Sequence, residues 1–242
     1  MLRQIKELIF QNFSTDQALR YRPVVKLLKQ YKLTESKILE VGSGDLGITP
    51  YLKKKITGVD ISFSQPENNL IKKVLASGSH LPFADNSFEV VINVDSLEHQ
   101  QEEERQAVIE EMMRVAGNYL IIVAPCGQLS YQQDRELDDF FYNNYGYHDK
   151  FLNQHLKNGL PELDQVRKMI EQASDQQKKK VKISYQKLTN LRLRKILMIC
   201  KISPNKLLKI FYFLFLLLRP VYQIFNFGNC YRCLFFVKIV NS

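Results

Sequence analysis

The last 67 residues of this 242-residue chain contain no aspartate or glutamate, yet they carry 14 lysines and arginines. The whole chain has a net charge of +9, so the first 175 residues hold a net −5. An acidic body followed by a basic section points to a polyanionic partner, either a membrane surface or a nucleic acid. A long apolar run is also missing. The uninterrupted run at residues 210–218 has nine residues, bracketed by Lys209, Arg219 and Pro220, whereas a spanning helix needs about 20. The opening MLRQIKELIF has neither a long apolar core nor a small-residue cleavage site. A signal peptide is therefore not expected, and a cytoplasmic location is. Cysteine is scarce, with Cys126, Cys200, Cys230 and Cys233 only. Cys230 and Cys233 form a C-x-x-C that no second pair matches, so reduced, unremarkable thiols are expected. No repeat or low-complexity tail interrupts the chain.

What is present alternates between strand and helix. Residues 2–12 and 15–31 have helical apolar spacing, with Ile5, Leu8 and Ile9 in the first and Val24, Leu27 and Leu28 in the second. Strands are expected at 37–41, 56–61, 73–76, 88–94 and 119–124. A helix is expected at 48–54. A second should run over 101–116, opened by three glutamates and stopped by Gly117. Such alternation implies a parallel sheet. Beyond Pro125 the pattern becomes helical until a strand at 181–187, an apolar helical stretch over 191–218 broken at Pro204, and a long last strand at 231–240. The expected organisation is N-terminal helices (1–35), a ligand-binding core (36–127), an aromatic-rich region (128–175) and a basic section (176–242). The last would complete the sheet around an apolar helical insertion at 191–227.

The stretch ILEVGSGDLGI, residues 38–48, reads as a buried strand running into a glycine turn. Gly42, Gly44 and Gly47 spell G-x-G-x-x-G, a turn that lets backbone approach a ligand closely. Such ligands lie beyond the carboxyl ends of parallel strands. Asp60, at the end of the second strand, can accept hydrogen bonds from both hydroxyls of a ribose. This much suits NAD and S-adenosylmethionine equally. Glu40 separates them: a carboxylate there suits an ammonium group and would repel a pyrophosphate.

Four stretches now stand in order: ILEVGSGDLGI, ITGVDIS, LPFADNSFEVVINVDSLEH and EEMMRVAGNYLIIVAP. Together they resemble the class I S-adenosylmethionine-dependent methyltransferases, in the group often called type 11. The resemblance covers residues 38–124. It implies an α/β, Rossmann-like seven-stranded sheet of order 3-2-1-4-5-7-6, with the last strand antiparallel and a helical insertion before it. It also implies S-adenosylmethionine as cofactor. Glu40, Gly42, Ser43 and Gly44 would surround its methionine part, Asp60 its ribose and Ile61 its adenine. Ser77 and Gly78 would lie at the adenine edge, and Asn93 near the transferred methyl group. Ser77 departs from the acid the family often has there.

The acceptor chemistry is less legible. Asp95, Glu98 and His99 are spaced i, i+3, i+4 and would share one face of a helical turn. They could act as a catalytic group, with His99 as general base, or hold a divalent metal, as in the resembling ubiquinone-biosynthesis O-methyltransferases; no metal ligand is assigned. Otherwise proximity suffices. His80 reads as a loop residue. Six aromatics, Phe140, Phe141, Tyr142, Tyr145, Tyr147 and Phe151, could line an acceptor pocket or form a satellite core. His148 and His155 are candidate acceptor contacts. The resulting expectation is O-methylation of a small-molecule, lipid-linked or glycan acceptor. The rivals are an NAD-dependent oxidoreductase and a non-catalytic binding protein of the same fold. A nucleic-acid partner is not expected, because no N-P-P-Y-type motif is present and the aromatic and basic segments are not interleaved. The basic, apolar segment suggests peripheral docking on an anionic membrane at its inner face. Oligomeric state is not indicated.

Overall fold

In a computed structural model of the chain, residues 15–66, 68–215, 217–218 and 224–240 are described. The helix expected at 2–12 lies outside them. Strands β1 (Ile38–Val41), β2 (Ile56–Asp60), β3 (Ile71–Leu75), β4 (Phe88–Val94), β5 (Ala116–Pro125), β6 (Lys180–Asn190) and β7 (Cys230–Val240) form one sheet. Its order is β3-β2-β1-β4-β5-β7-β6. The first five strands are mutually parallel, and β7 runs antiparallel to both β5 and β6. The expected order and the reversed last strand are both present.

Side chains alternate across the strands, as the two-residue period requires. Leu39, Val91, Leu120, Ile122, Phe235 and Val237 share one buried cluster with helices α3 (Glu102–Val115) and α6 (Leu163–Gln176). Ile38, Val90, Ile92, Ile121, Val123 and Leu234 pack on the other face beneath α1 (Thr15–Gln30). Both faces are thus covered, which explains strands that read as continuous apolar runs.

Several boundaries differ from the sequence expectation. The third strand begins two residues early, and the 62–70 connection holds turns but no helix. The helix expected at 48–54 is one turn, α2 (Thr49–Leu52). Gly117 does not stop α3. The chain turns extended at Ala116 and passes straight into β5. A Cβ at Gly117 would come 3.3 Å from the Phe88 carbonyl oxygen, where the β4–β5 register shifts. The glycine thus serves a close strand approach. The amine of Lys179 donates to the carbonyls of Met113, Arg114 and Ala116 at the end of α3, as the helix dipole favours.

Past β5 come α4 (Gln128–Tyr145) and α5 (Lys150–Asn158). Gly146, with φ 75°, ends α4, and Asp149 caps α5 by accepting from the Phe151 and Leu152 amides. Between β6 and β7 lie α7 (Leu191–Ile202) and α8 (Lys206–Leu214), separated at Pro204. All four cysteines are free. Cys230 and Cys233, three apart in a strand, face opposite sides.

Candidate active site

A cleft of about 670 Å³ opens at the carboxyl ends of β1, β2 and β4, with α1, α5, α7 and the start of β7 as its further walls. Its floor is the glycine turn. Gly42, Gly44 and Gly47 have φ of 75°, 55° and 51°, the left-handed region that glycine enters without cost. A Cβ on Gly42 would meet the Ser96 hydroxyl, and one on Gly47 the Glu40 carboxylate; one on Gly44 would meet nothing within 4 Å. Gly44 is the open, approachable point of the turn. Its amide donates to the Asp60 carboxylate at 2.8 Å, which ties the turn to the end of β2.

Glu40 is fully buried behind this turn. It accepts from the Tyr21 hydroxyl at 2.9 Å and from the Ile48 amide at 2.7 Å. Burial raises its pKa to about 7, against the opposing pull of those two bonds. Both oxygens are engaged inside the protein, so any effect on a ligand passes through the turn they fix. Ser43 lies beneath the turn against Gly58. Asp60 and Ile61 line the cleft, and Ile61 is 73% exposed, an apolar shelf beside a carboxylate. Gly78 also lines it. Ser77 is exposed, and its hydroxyl pairs with that of Ser79 at 2.8 Å. Asn93 is buried. Its amide donates to the Val41 carbonyl, and its side-chain oxygen has no partner.

The expected Asp95–Glu98–His99 face does not form. Asp95 has φ 48° and precedes a single 3₁₀ turn, Leu97–His99, rather than opening an α-helix. Its carboxylate is held by the Arg232 guanidinium at 2.7 and 2.8 Å and by Arg20 at 3.3 Å. Arg232 also reaches Asp16 at 3.1 Å. This interlocked set of two arginines and two aspartates joins α1, the end of β4 and β7. It sits on the cleft wall.

Glu98 and His99 meet His155 of α5 instead. The two imidazoles lie 4.9 Å apart, centroid to centroid. His155 Nδ1 is fixed by Asp134 at 2.8 Å, and its Nε2, 4.0 Å from Glu98, has no hydrogen-bond partner. Asp134, fully buried, also accepts from the Tyr231 hydroxyl at 2.8 Å and from Arg194 at 2.7 Å. The Arg194 guanidinium lies 3.4 Å over the Tyr231 ring. Burial drives the Glu98 carboxyl up to about 8, helped by the Asp95 charge. Burial and neighbouring His155 drive His99 down to about 4. Burial opposes a charge on His155, but the Asp134 bond and the nearby Glu98 outweigh it and raise its pKa. The result is an imidazole held by an aspartate, more basic than usual, with its free nitrogen at a cleft.

Among the described residues, Glu98, His99 and His155 also form a group whose potential metal-ligand atoms lie within 4.8 Å of one another. Asp95 is not a member. The aromatic segment divides. Phe140 and Phe141 pack with Leu137, Leu152 and Ile202 as a satellite core, and of the six rings only Phe151 lines the cleft. His148 pairs with Asp138 outside it, and His80 is exposed. Sequence reasoning gave no role to α1, which contributes Asp16, Arg20 and Tyr21. It also missed Asp134, Arg194 and Arg232. The available signal was an acid or base standing in an otherwise apolar pattern, as Arg232 does in CYRCLFF.

With this geometry in place, residues 39–121 match a family model described as a methyltransferase domain. The fold and site are those of a class I S-adenosylmethionine-dependent methyltransferase, and the matched segment holds the glycine turn, Asp60 and Glu98–His99. Solved structures agree on the fold. A *Thermotoga maritima* protein titled an S-adenosylmethionine-dependent methyltransferase, possible histamine N-methyltransferase, is similar at TM-score 0.52 and 14% identity, covering 98% of this chain and 94% of that one. The magnesium protoporphyrin IX methyltransferase of Synechocystis, solved with S-adenosylhomocysteine, gives 0.53 at 11% identity over 91% and 82%. A *Burkholderia thailandensis* 1,6-didemethyltoxoflavin N1-methyltransferase, solved with its substrate and S-adenosylhomocysteine, gives 0.51 at 10% over 91% and 78%. No curated protein sequence matches the chain.

Proposed function

We propose that this protein transfers the methyl group of S-adenosylmethionine to a hydroxyl oxygen of a small-molecule, lipid-linked or glycan acceptor. The observation that carries the reading is one cleft holding both halves of the chemistry. On one side stand the open glycine turn and Asp60. On the other stands His155, with Nδ1 anchored on Asp134 and Nε2 unpartnered. The residues present fit the cofactor. Gly44 leaves room for close backbone approach, Asp60 offers acceptors for ribose hydroxyls, and Ile61 offers an apolar shelf for a base. S-adenosylmethionine, when bound, supplies a methyl group on a sulfonium that departs as a neutral thioether. The chain's own task is to orient the acceptor and take its proton. His155 Nε2 receives the hydroxyl proton, and Asp134 stabilises the imidazolium that results. Glu98, protonated at neutral pH, can donate a hydrogen bond to the acceptor.

The test is calorimetry followed by turnover. S-adenosylhomocysteine should bind and NAD should not. NAD binding without S-adenosylhomocysteine binding would revive the oxidoreductase. Tight binding with no product on any hydroxylated acceptor would favour a non-catalytic protein.

A second reading has its own observation, the convergence of Glu98, His99 and His155. They could hold a divalent cation that lowers an acceptor hydroxyl's pKa, with Asp134 orienting the histidine ligand from behind. In that case chelator abolishes activity, Mg²⁺ or Mn²⁺ restores it, and Mn²⁺ binding disappears in His155→Ala. Activity indifferent to chelator leaves His155 as the base.

Among the described residues no helix is long and apolar enough to cross a membrane. A lipid-linked acceptor would be met by peripheral docking at the inner face of the cytoplasmic membrane.

A further inference from the structure

Helix α8 has two apolar faces, and the fold uses one. Tyr212 and the following Phe215 are buried with Ala18 and Leu19 of α1 and Leu197 and Cys200 of α7. The Tyr212 carbonyl accepts from the Thr15 hydroxyl, and its own hydroxyl accepts from the Asp16 amide. On the other side Leu207, Ile210, Phe211 and Leu214 follow the i, i+3, i+4, i+7 spacing of one helix face. They are 74%, 54%, 51% and 56% exposed. Leu217 and Leu218, both exposed, continue the row. Contiguous apolar surface of this kind marks a contact site rather than ordinary surface scatter.

The charge beside it has one sign. Lys206 and Lys209 lie on α8 and exposed Lys201 on the last turn of α7, with no acid anywhere from residue 176 onward. Other bases of this section are committed elsewhere. Lys179 caps α3, Lys195 pairs with Glu136, and Arg194 and Arg232 are buried in the cleft wall. A second copy of the chain would set lysines against lysines, a juxtaposition that disfavours pairing. An anionic bilayer meets both demands at once, with the apolar row at the acyl boundary and the amines among the headgroups.

The position of the face matters. α8 is fastened to α1 and α7, and both helices wall the cleft, through Asp16 and Arg20 on one and Met198 and Lys201 on the other. We propose that the exposed face of α8 docks the protein on anionic lipid bilayers and so brings the cleft to acceptors held in the membrane. The docking stands by itself; the lipid-borne acceptor rests on the methyl-transfer reading above.

The experiment is co-sedimentation of the full chain with phosphatidylcholine vesicles, with and without phosphatidylglycerol, at low and high salt. Binding should need the anionic lipid and fall with salt. Phe211→Glu with Leu214→Glu should lower it by roughly tenfold or more. Lys206→Gln with Lys209→Gln should lower it by about fivefold per lysine. These sites avoid the buried Tyr212 and Phe215, and circular-dichroism melting should confirm that the variants fold. Wild-type protein that stays in solution with anionic vesicles at low salt overturns the proposal. So does undiminished binding by folded Phe211→Glu/Leu214→Glu, or a wild-type dimer that those glutamates dissolve. Calorimetry with S-adenosylhomocysteine on the same samples keeps the two ideas apart. Unchanged affinity with lost vesicle binding isolates the docking face. Absent affinity in the wild type would sink methyl transfer and leave docking standing.

Discussion

The two walls of the cleft are built in different ways. The glycine-turn wall is local: residues 40–60 supply Glu40, the glycines and Asp60. The longest step among them is the Gly44 amide reaching Asp60, 16 residues on. Its precision comes from backbone, through left-handed glycines and a carboxylate bonded to an amide. The opposite wall is assembled from afar. Asp95 meets Arg232 across 137 residues, Asp134 meets Tyr231 across 97, and His155 reaches Asp134 from another helix. Its precision comes from buried charges that satisfy one another. A wall of the first kind tolerates change around it and keeps one ligand. A wall of the second kind can be rebuilt for a new acceptor, but each of its members is costly to lose.

The largest expected effect tests the long-range wall directly. His155→Gln should lower turnover by about 10²- to 10⁴-fold while leaving S-adenosylhomocysteine affinity unchanged. A variant of undiminished rate would remove His155 from the chemistry. Next comes Asp134→Asn, which strips a buried carboxylate from Arg194, His155 and Tyr231. Breaking a buried ion pair in this way costs about 3–5 kcal/mol, readable in urea unfolding, and a loss below 1 kcal/mol would mean the network carries little. The local wall should respond more mildly. Asp60→Ala should weaken S-adenosylmethionine binding by about 1.5–3 kcal/mol with the fold intact, because Asp60 stands at a strand end. Unchanged affinity would displace the ribose from that site.

The smallest effect is a pH slope. The Glu98 carboxyl is raised from its ordinary 4.5 to about 8, so the folded state keeps a proton that the unfolded chain releases. Stability contributed by this group is therefore full below about 4.5, falls as pH rises, and is gone above about 8. His99, lowered from 6.5 to about 4, acts oppositely and costs stability as pH falls from 6.5 toward 4. Glu98→Gln should flatten the alkaline decline in melting temperature and leave the acid limb as it was. Parallel wild-type and variant curves from pH 5 to 8 would show that Glu98 is not the buried proton.

How much was legible follows the same division. The sheet order could be anticipated because β-branched runs, turn residues and the ILEVGSGDLGI and ITGVDIS motifs are contiguous signals. Boundaries slipped where a contact decided them. Gly117 looks like a helix stop, but it is a glycine because β4 passes 3.3 Å from where its Cβ would be. The spacing of Asp95, Glu98 and His99 suggested one helical face. The chain turns through a left-handed residue at Asp95, and two arginines hold that carboxylate away from the others. His155 was visible as a candidate contact, while Asp134, which anchors it, carried no local signal.

What the sequence determined by itself was the fold class, the glycine turn and the carboxylate that ends β2, because strand periodicity and left-handed glycine positions act over a few residues. It also determined the basic, acid-free character of the last 67 residues. Only the tertiary structure decided which of those bases are buried partners, which one caps a helix, and which stand beside an exposed apolar helix face. It alone brought Glu98, His99 and His155 together around one cleft. Charges and ligand atoms find partners by distance in space, and burial strengthens or penalises them according to neighbours that lie far along the chain.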